Sequence, residues 1–295
     1  MVDGDAHSEL LSADWNGEWM RLQADRHRAD DSFEWDKRAR HFRPLETAPY
    51  ARDFMKLLAL KPGESVLDMG CGAGSIAIPL AQAGHSVIAA DFSPAMLGTL
   101  DAGIEYYGLE DLITPLELAW DDDWDLVGPV AKAVDVAFAS RSVTTNDLKG
   151  ALAKLDRTAR RRCAVTMVAN SSPRYDLHLM NAIGASITCS NGFVYAFNIL
   201  IQMGALPQVT YFESPRRDTF DSLEAGVADF SRMLEHGNED KVDRLRDYIA
   251  QHMIENPHAG EPGSKGVPQG RYMLDHIRKI RWAFIAWEPV SAPSS

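Results

Sequence analysis

Apolar residues along this chain gather in short runs, at 65–69, 86–90, 113–118, 134–139, 164–169, 208–212 and 280–287. Helix-like segments separate the first five runs, at 75–83, 94–107, a shorter one around 126–132, and 148–161. Strands that alternate with helices predict an α/β protein whose parallel sheet is covered on both faces. Pro115 lies inside the third run, and a proline cannot donate to a ladder, so that strand belongs at a sheet edge. Before the alternation, the chain to about residue 56 is polar with interspersed aromatics, Trp15, Trp19, Phe33, Trp35 and Phe42, at spacings that suit amphipathic helices. The last helix of this stretch ends before the Lys61-Pro62-Gly63 turn.

Two segments interrupt the pattern. Residues 171–206 are rich in Asn, Gly, Met and aromatics, and residues 215–272 carry two helical patterns and then a Gly- and Pro-containing loop. The expected organisation is an N-terminal helical cover over 1–56 and a main domain over 57–295 with insertions at about 171–206 and 215–272. The helical part of the second insertion reads as a lid or a contact in a homodimer. Trp282 and Trp287, on the last apolar run, are expected to pack helices against it.

Composition narrows the classes. A net charge of −12 disfavours wrapping a nucleic-acid backbone, which requires clustered Lys and Arg. The one local cluster, Arg157, Arg160, Arg161 and Arg162, reads as a solvated helix end before a buried strand. Cys71, Cys163 and Cys189 are too few and too scattered for a disulfide framework; two of them stand in apolar surroundings that suit small buried hydrophobes. The acidic start carries neither a basic nor an apolar leader segment, and no apolar run approaches the ~18 residues of a membrane span. The expectation is a soluble, cytoplasmic protein. The nine histidines show no i, i+4 pair and no cysteine neighbours at ligand spacing, so no metal site is expected. His252 and His258 read as surface residues.

Chemistry concentrates in "VLDMGCGAGSIAIPLAQAGHSVIAADFSPAML", residues 66–97. A strand that turns sharply into a helix needs positions with φ > 0 and no Cβ in a ligand's way, which Gly70, Gly72 and Gly74 supply. The helix that follows offers free N–H groups and a positive dipole end. Asp91 closes the next apolar run, where a carboxylate can accept from both hydroxyls of a ribose. Ser93-Pro94 then reads as N-cap and first residue of a helix. The spacing Gly-x-Gly-x-Gly, with Asp68 two residues ahead, differs from the Gly-x-Gly-x-x-Gly of dinucleotide sites.

This stretch resembles the first motifs of the class I S-adenosylmethionine-dependent methyltransferases, and the resemblance covers about residues 50–170. It implies a Rossmann-like sheet of seven strands in the order 3-2-1-4-5-7-6, the last antiparallel, with helices on both faces. It implies S-adenosylmethionine as methyl donor and S-adenosylhomocysteine as product. Asp68 and the backbone at Gly70, Gly72 and Gly74 would border the methionine moiety, with Cys71 in the same turn. Asp91 would hold the ribose, Phe92 and Met96 would pack near the adenine, and Ser93 would stand beside them. Trp120 and Asp121 would flank the adenine and accept from its amino group, and Ser140 would face the methyl donor.

A methylsulfonium is already a strong electrophile, so the enzyme mainly aligns a nucleophile and excludes water, and no compulsory catalytic residue type exists. The chain carries "SRSV" after its fourth strand rather than an Asn-Pro-Pro-Tyr or Asp-Pro-Pro-Tyr motif, which disfavours methylation of a nucleic-acid base amine. The acceptor pocket is expected above the strand ends, where Arg141, Arg174, Tyr175, Asp176, His178, Asn191 and Tyr195 are candidates; Arg141, Arg174, Tyr175 and His178 are the candidates for a catalytic part. An arginine there suits an acidic acceptor, although Arg174 can equally pair with Asp176 or another surface acid. The expected function is methyl transfer to a small molecule, an acidic one among the options. The alternatives are an RNA or protein methyltransferase and a non-catalytic protein that binds the donor.

Overall fold

The computed structural model describes residues 12–25, 49–143, 145–187, 191–234, 238–263 and 267–290. Phe33, Trp35, Phe42 and Cys189, and with them most of the expected N-terminal cover, lie outside the described residues. Two helices precede the sheet, α1 (Trp15–Asp25) and α2 (Pro49–Leu58). There follow β1 (Val66–Met69), α3 (Ala77–Gln82), β2 (Val87–Asp91), α4 (Pro94–Tyr107), β3 (Ile113–Glu117), β4 (Val134–Ser140), α5 (Leu148–Thr158) and β5 (Ala159–Val168). The second half holds α6 (Leu177–Ile183), α7 (Phe193–Gln202), β6 (Gln208–Arg216), β7 (Thr219–Phe220), α8 (Leu223–Ser231), α9 (Val242–His252), β8 (Met253–Glu255), β9 (Tyr272–Leu274) and β10 (Arg278–Trp287).

Seven strands form one sheet in the order β3-β2-β1-β4-β5-β10-β6, which is the expected 3-2-1-4-5-7-6 arrangement. The neighbours from β3 to β5 are parallel, and β10 runs antiparallel to both β5 and β6. β3 is an edge strand, paired through Ala89↔Pro115 to β2 alone, as the proline requires.

Because side chains alternate across a strand, each central strand feeds two cores. Val136 and Phe138 of β4 point to the face covered by α2, α3 and α4, with Phe54 and Leu58 of α2 buried there. Ala137 and Ala139 point to the face covered by α1, α5 and α7, with Leu152, Leu155 and Ile199. Trp282 and Trp287 pack helices, as expected: the Trp282 ring meets Tyr50 of α2, and Trp287 Nε1 donates to Asp156 of α5 at 2.9 Å. Cys71 and Cys163 are buried free thiols.

Three expectations require correction. No helix forms at 126–132, which is a run of turns, because Gly128-Pro129 interrupts it. The arginines 160–162 do not end a helix: α5 stops at Thr158, and β5 starts at Ala159 to pair with Val134 of β4. There Arg160 pairs with Asp135 and Arg161 with Glu64. The second insertion is not helical alone. β7, β9 and β8 form a separate small sheet which, with α6, α8 and α9, encloses a third core around Leu179, Phe220, Phe230, Leu245 and Leu274. Arg278, the first residue of β10, ties the main sheet to the cap through an ion pair, Nε to Asp218 Oδ2 at 3.0 Å, and His276 Nε2 meets Asp176 Oδ2 at 2.8 Å at the cap's edge.

Candidate functional site

The C-terminal ends of β1, β2 and β4 lie side by side, and the sequence places its unusual residues there. β1 ends in a turn in which Gly70, Gly72 and Gly74 have φ of +77°, +55° and +83°. The three glycines differ in what they make possible. A Cβ on Gly70 would collide with the Ser142 side chain, and one on Gly74 would lie 2.5 Å from Leu100 Cδ1. Those two permit close packing within the protein. At Gly72 the nearest atom would be Met96 Sδ at 4.0 Å, so only there does the bare backbone border open space.

Asp91 is buried at the end of β2 and ties the two strand ends together. Its Oδ2 accepts the Gly72 N–H at 2.8 Å and its Oδ1 accepts the Ser93 N–H at 3.0 Å. Burial raises its pKa, opposed by those N–H bonds. Ser93 caps α4, accepting from Met96 N at 3.2 Å, with Pro94 in the first turn, as expected. Met96 is buried against Ala73, with Ala95 packed on them, and Phe92 is half-buried.

Asp68 on β1 is 2 % exposed, and its Oδ2 has no hydrogen-bond partner among the described residues. Burial, then the charge of Asp91, pushes its carboxyl up to about 8, with Arg141 opposing. An orphaned carboxylate oxygen in the interior costs free energy unless something cationic or donating meets it. The Cys71 thiol lies 3.5 Å from the Gly72 carbonyl, and burial raises its pKa.

Past β3, Trp120 is buried and stacks on Trp124 with centroids 5.6 Å apart, and its Nε1 donates to the Ser142 carbonyl at 2.8 Å. Asp121 is exposed and accepts from the Thr145 hydroxyl at 3.3 Å. Ser140 ends β4, opposite Thr166 of β5. Sequence reasoning did not single out the residue that joins these two: the Tyr50 hydroxyl lies 2.7 Å from Ser140 Oγ and 2.6 Å from Thr166 Oγ1. Its only sequence signal is the apolar stripe Tyr50, Phe54, Leu58 at helical spacing, which marks burial and not a polar role. Burial raises the Tyr50 pKa, with Arg141 opposing. Ser142 and Thr166 were missed as well, for want of any local signal.

The acceptor-side candidates separate into two groups. Arg141 lies beside the strand ends with Tyr50 and Ser140. Asn191 accepts from Asn170 N at 2.7 Å just beyond β5, and Tyr195 packs against Trp15 and Trp19 of α1. The others follow β5 into the cap. Arg174 and Asp176 do not form the ion pair weighed for them: Asp176 is buried, caps α6 through His178 N and Leu179 N, and holds His276. Tyr175 packs against the cap core, and His178 is exposed with its ring 4.5 Å from that of His276. His252 and His258 pair with Asp275 and Glu261 near the surface. Among the described residues no cluster of His, Cys, Asp and Glu could hold a metal, and no helix is long and apolar enough to cross a membrane.

Comparison with known proteins agrees with this layout. A family model described as a methyltransferase domain matches residues 66–162. An uncharacterized protein of Haemophilus influenzae is 33% identical over 200 residues, covering 65% of this chain and 72% of that protein. An uncharacterized methyltransferase of Synechocystis is 49% identical over 41 residues, 14% of this chain and 19% of its own. Among solved structures, the YcgJ protein of Bacillus subtilis superposes with a TM-score of 0.52 at 12% identity, covering 82% of this chain and 99% of that one. That last likeness concerns the fold.

Proposed function

The chain belongs to the class I S-adenosylmethionine-dependent methyltransferases, and we propose that it transfers the methyl group to a small-molecule acceptor held at the C-terminal ends of β1, β4 and β5. The residues at the strand ends fit the donor. Asp91 keeps lone pairs on both oxygens after accepting from Gly72 and Ser93, which suits the two hydroxyls of a ribose. Asp68 presents a buried oxygen without a partner, which suits the ammonium group of an amino acid. Gly72 leaves open space beside the bare backbone between them. Met96 and Phe92 would face the adenine, with Trp120 and Asp121 at its edge. The bound donor supplies an electrophilic methyl group on a sulfonium.

The chain's own residues then have two tasks, to orient the acceptor and to keep water out. The observation that carries this reading is the pairing of a satisfied Asp91 with an orphaned Asp68 on adjacent strand ends. The net charge of −12 supports a small acceptor over a nucleic acid.

The test is methyl transfer from radiolabelled donor to three pools: small metabolites enriched in acids, total RNA, and unfolded protein. Label entering the small-molecule pool alone is the expected result. Label in RNA, with salt-sensitive association, would establish the nucleic-acid alternative. Tight donor binding with no label in any pool would make the protein a non-catalytic binder.

A further inference from the structure

The chain leaves β4 through Arg141, whose φ is +62°. A non-glycine residue in the left-handed region costs about 1 kcal/mol or more and persists only where its surroundings impose it. Here three hydroxyls impose it. Arg141 N donates to Thr166 Oγ1 at 3.0 Å, Thr166 Oγ1 lies 2.6 Å from the Tyr50 hydroxyl, and that hydroxyl also meets Ser140 Oγ. The turn lays the guanidinium on an aromatic shelf, with Cζ 3.9 Å from the centre of the Tyr50 ring and 5.8 Å from that of Trp282.

Arg157, Arg160 and Arg161 each have a carboxylate partner, whereas Arg141 makes no ion pair among the described residues and is exposed. A guanidinium held over an aromatic ring, with its N–H fork unused among the described residues, is preorganised for a bidentate oxyanion. Sheet order decides which ligand that is. The two carboxylates that suit the donor stand on β1 and β2, and Arg141 follows β4, on the far side of β1 toward β5. Its charge therefore flanks the donor site on the side where the acceptor would enter.

We propose that Arg141 anchors an oxyanion of the methyl acceptor, a carboxylate or a phosphate, and that Tyr50 is the positioning residue that holds it there. This rests on the donor reading given above. The test follows the Arg Nε–H resonances of the ¹⁵N-labelled 295-residue protein, with that of Arg141 identified by its loss in Arg141→Gln. The protein is first saturated with S-adenosylhomocysteine, then titrated with benzoate and, separately, with phenyl phosphate.

The expected result is a saturable shift of the Arg141 resonance by one or both anions, with affinity about tenfold weaker in Arg141→Gln by calorimetry. A response to benzoate alone identifies a carboxylate, and a response to phenyl phosphate alone a phosphate. Tyr50→Phe keeps the ring and removes the hydroxyl. It should move the Arg141 resonance in the absence of anion and weaken the anion by about three- to tenfold, with S-adenosylhomocysteine affinity unchanged. An unmoved Arg141 resonance in protein that binds S-adenosylhomocysteine overturns the anchor alone. So does loss of S-adenosylhomocysteine affinity in Arg141→Gln, because Arg141 would then serve the donor. Failure of S-adenosylhomocysteine to bind wild-type protein overturns the donor reading and the anchor with it.

Discussion

Asp91 and Gly72 are bonded across the ends of two adjacent strands, carboxylate Oδ2 to backbone N–H at 2.8 Å, and this one contact couples the shape of the glycine turn to the charge beside it. Removing the carboxylate frees the Gly72 and Ser93 N–H groups and takes away the proposed ribose acceptor together. Asp91→Ala should therefore weaken S-adenosylmethionine and S-adenosylhomocysteine by about 100-fold or more in isothermal titration, the loss of two charge-assisted bonds. NAD should bind neither form.

The glycines should divide by what their substitution disturbs. Gly74→Ala places a methyl 2.5 Å from Leu100 Cδ1 at a φ of +83°, so it should lower the unfolding free energy by about 2–3 kcal/mol in urea titration. Gly72→Ala meets only backbone strain of about 1 kcal/mol. Its larger effect should appear as lost donor affinity, because its methyl enters the open space.

Asp68 makes stability depend on pH. Its folded pKa of about 8 lies above the ordinary aspartate value, so the folded protein holds a proton that the unfolded chain releases. Stability should fall as pH rises through the window from about 4 to about 8, and Asp68→Asn should abolish that part of the slope in thermal unfolding. Donor binding should run the opposite way in wild type. A cationic amino group favours the carboxylate, so affinity should rise toward pH 8 with protons released on binding.

The cap depends on one buried charge. Arg278 is 4 % exposed and is paired to Asp218, and burial lowers its pKa while Asp218 opposes. Asp218→Asn removes the ion-pair partner of that guanidinium, leaving only the charge of Asp176 to oppose it, and should cost about 3 kcal/mol. Limited proteolysis should then cut first within the cap, before the main sheet.

The glycine turn and the residues that flank it were legible in the sequence because residue type alone marks them. Glycines that permit positive φ, an N-cap serine and a strand-ending aspartate are marked by residue type and position, whereas the order of strands came from the family resemblance. The alternation with helices gave a parallel sheet, and Pro115 its edge strand. Tyr50 was not legible, because its role comes from the pairing of Ser140 with Thr166 and from the packing of α2 over both. The cap sheet was not legible either: β7, β8 and β9 are two or three residues long, too short to show a period. Gly128-Pro129 was visible and should have outweighed the weak helical pattern around it.

The position of β10 bears on how the chain reaches this structure. β10 is hydrogen-bonded along one side to β5 and along the other to β6, yet it is the last strand among the described residues. Until residues 278–287 have left the ribosome, β5 and β6 each carry an open edge, and the gap between them cannot close. The five strands from β3 to β5 can assemble as they emerge, but the sheet's far end must wait for synthesis to pass Trp287. During that wait the two bare edges are available to each other in the wrong register or to another chain. The strand that completes the sheet therefore also sets how long the nascent protein remains vulnerable to misassembly.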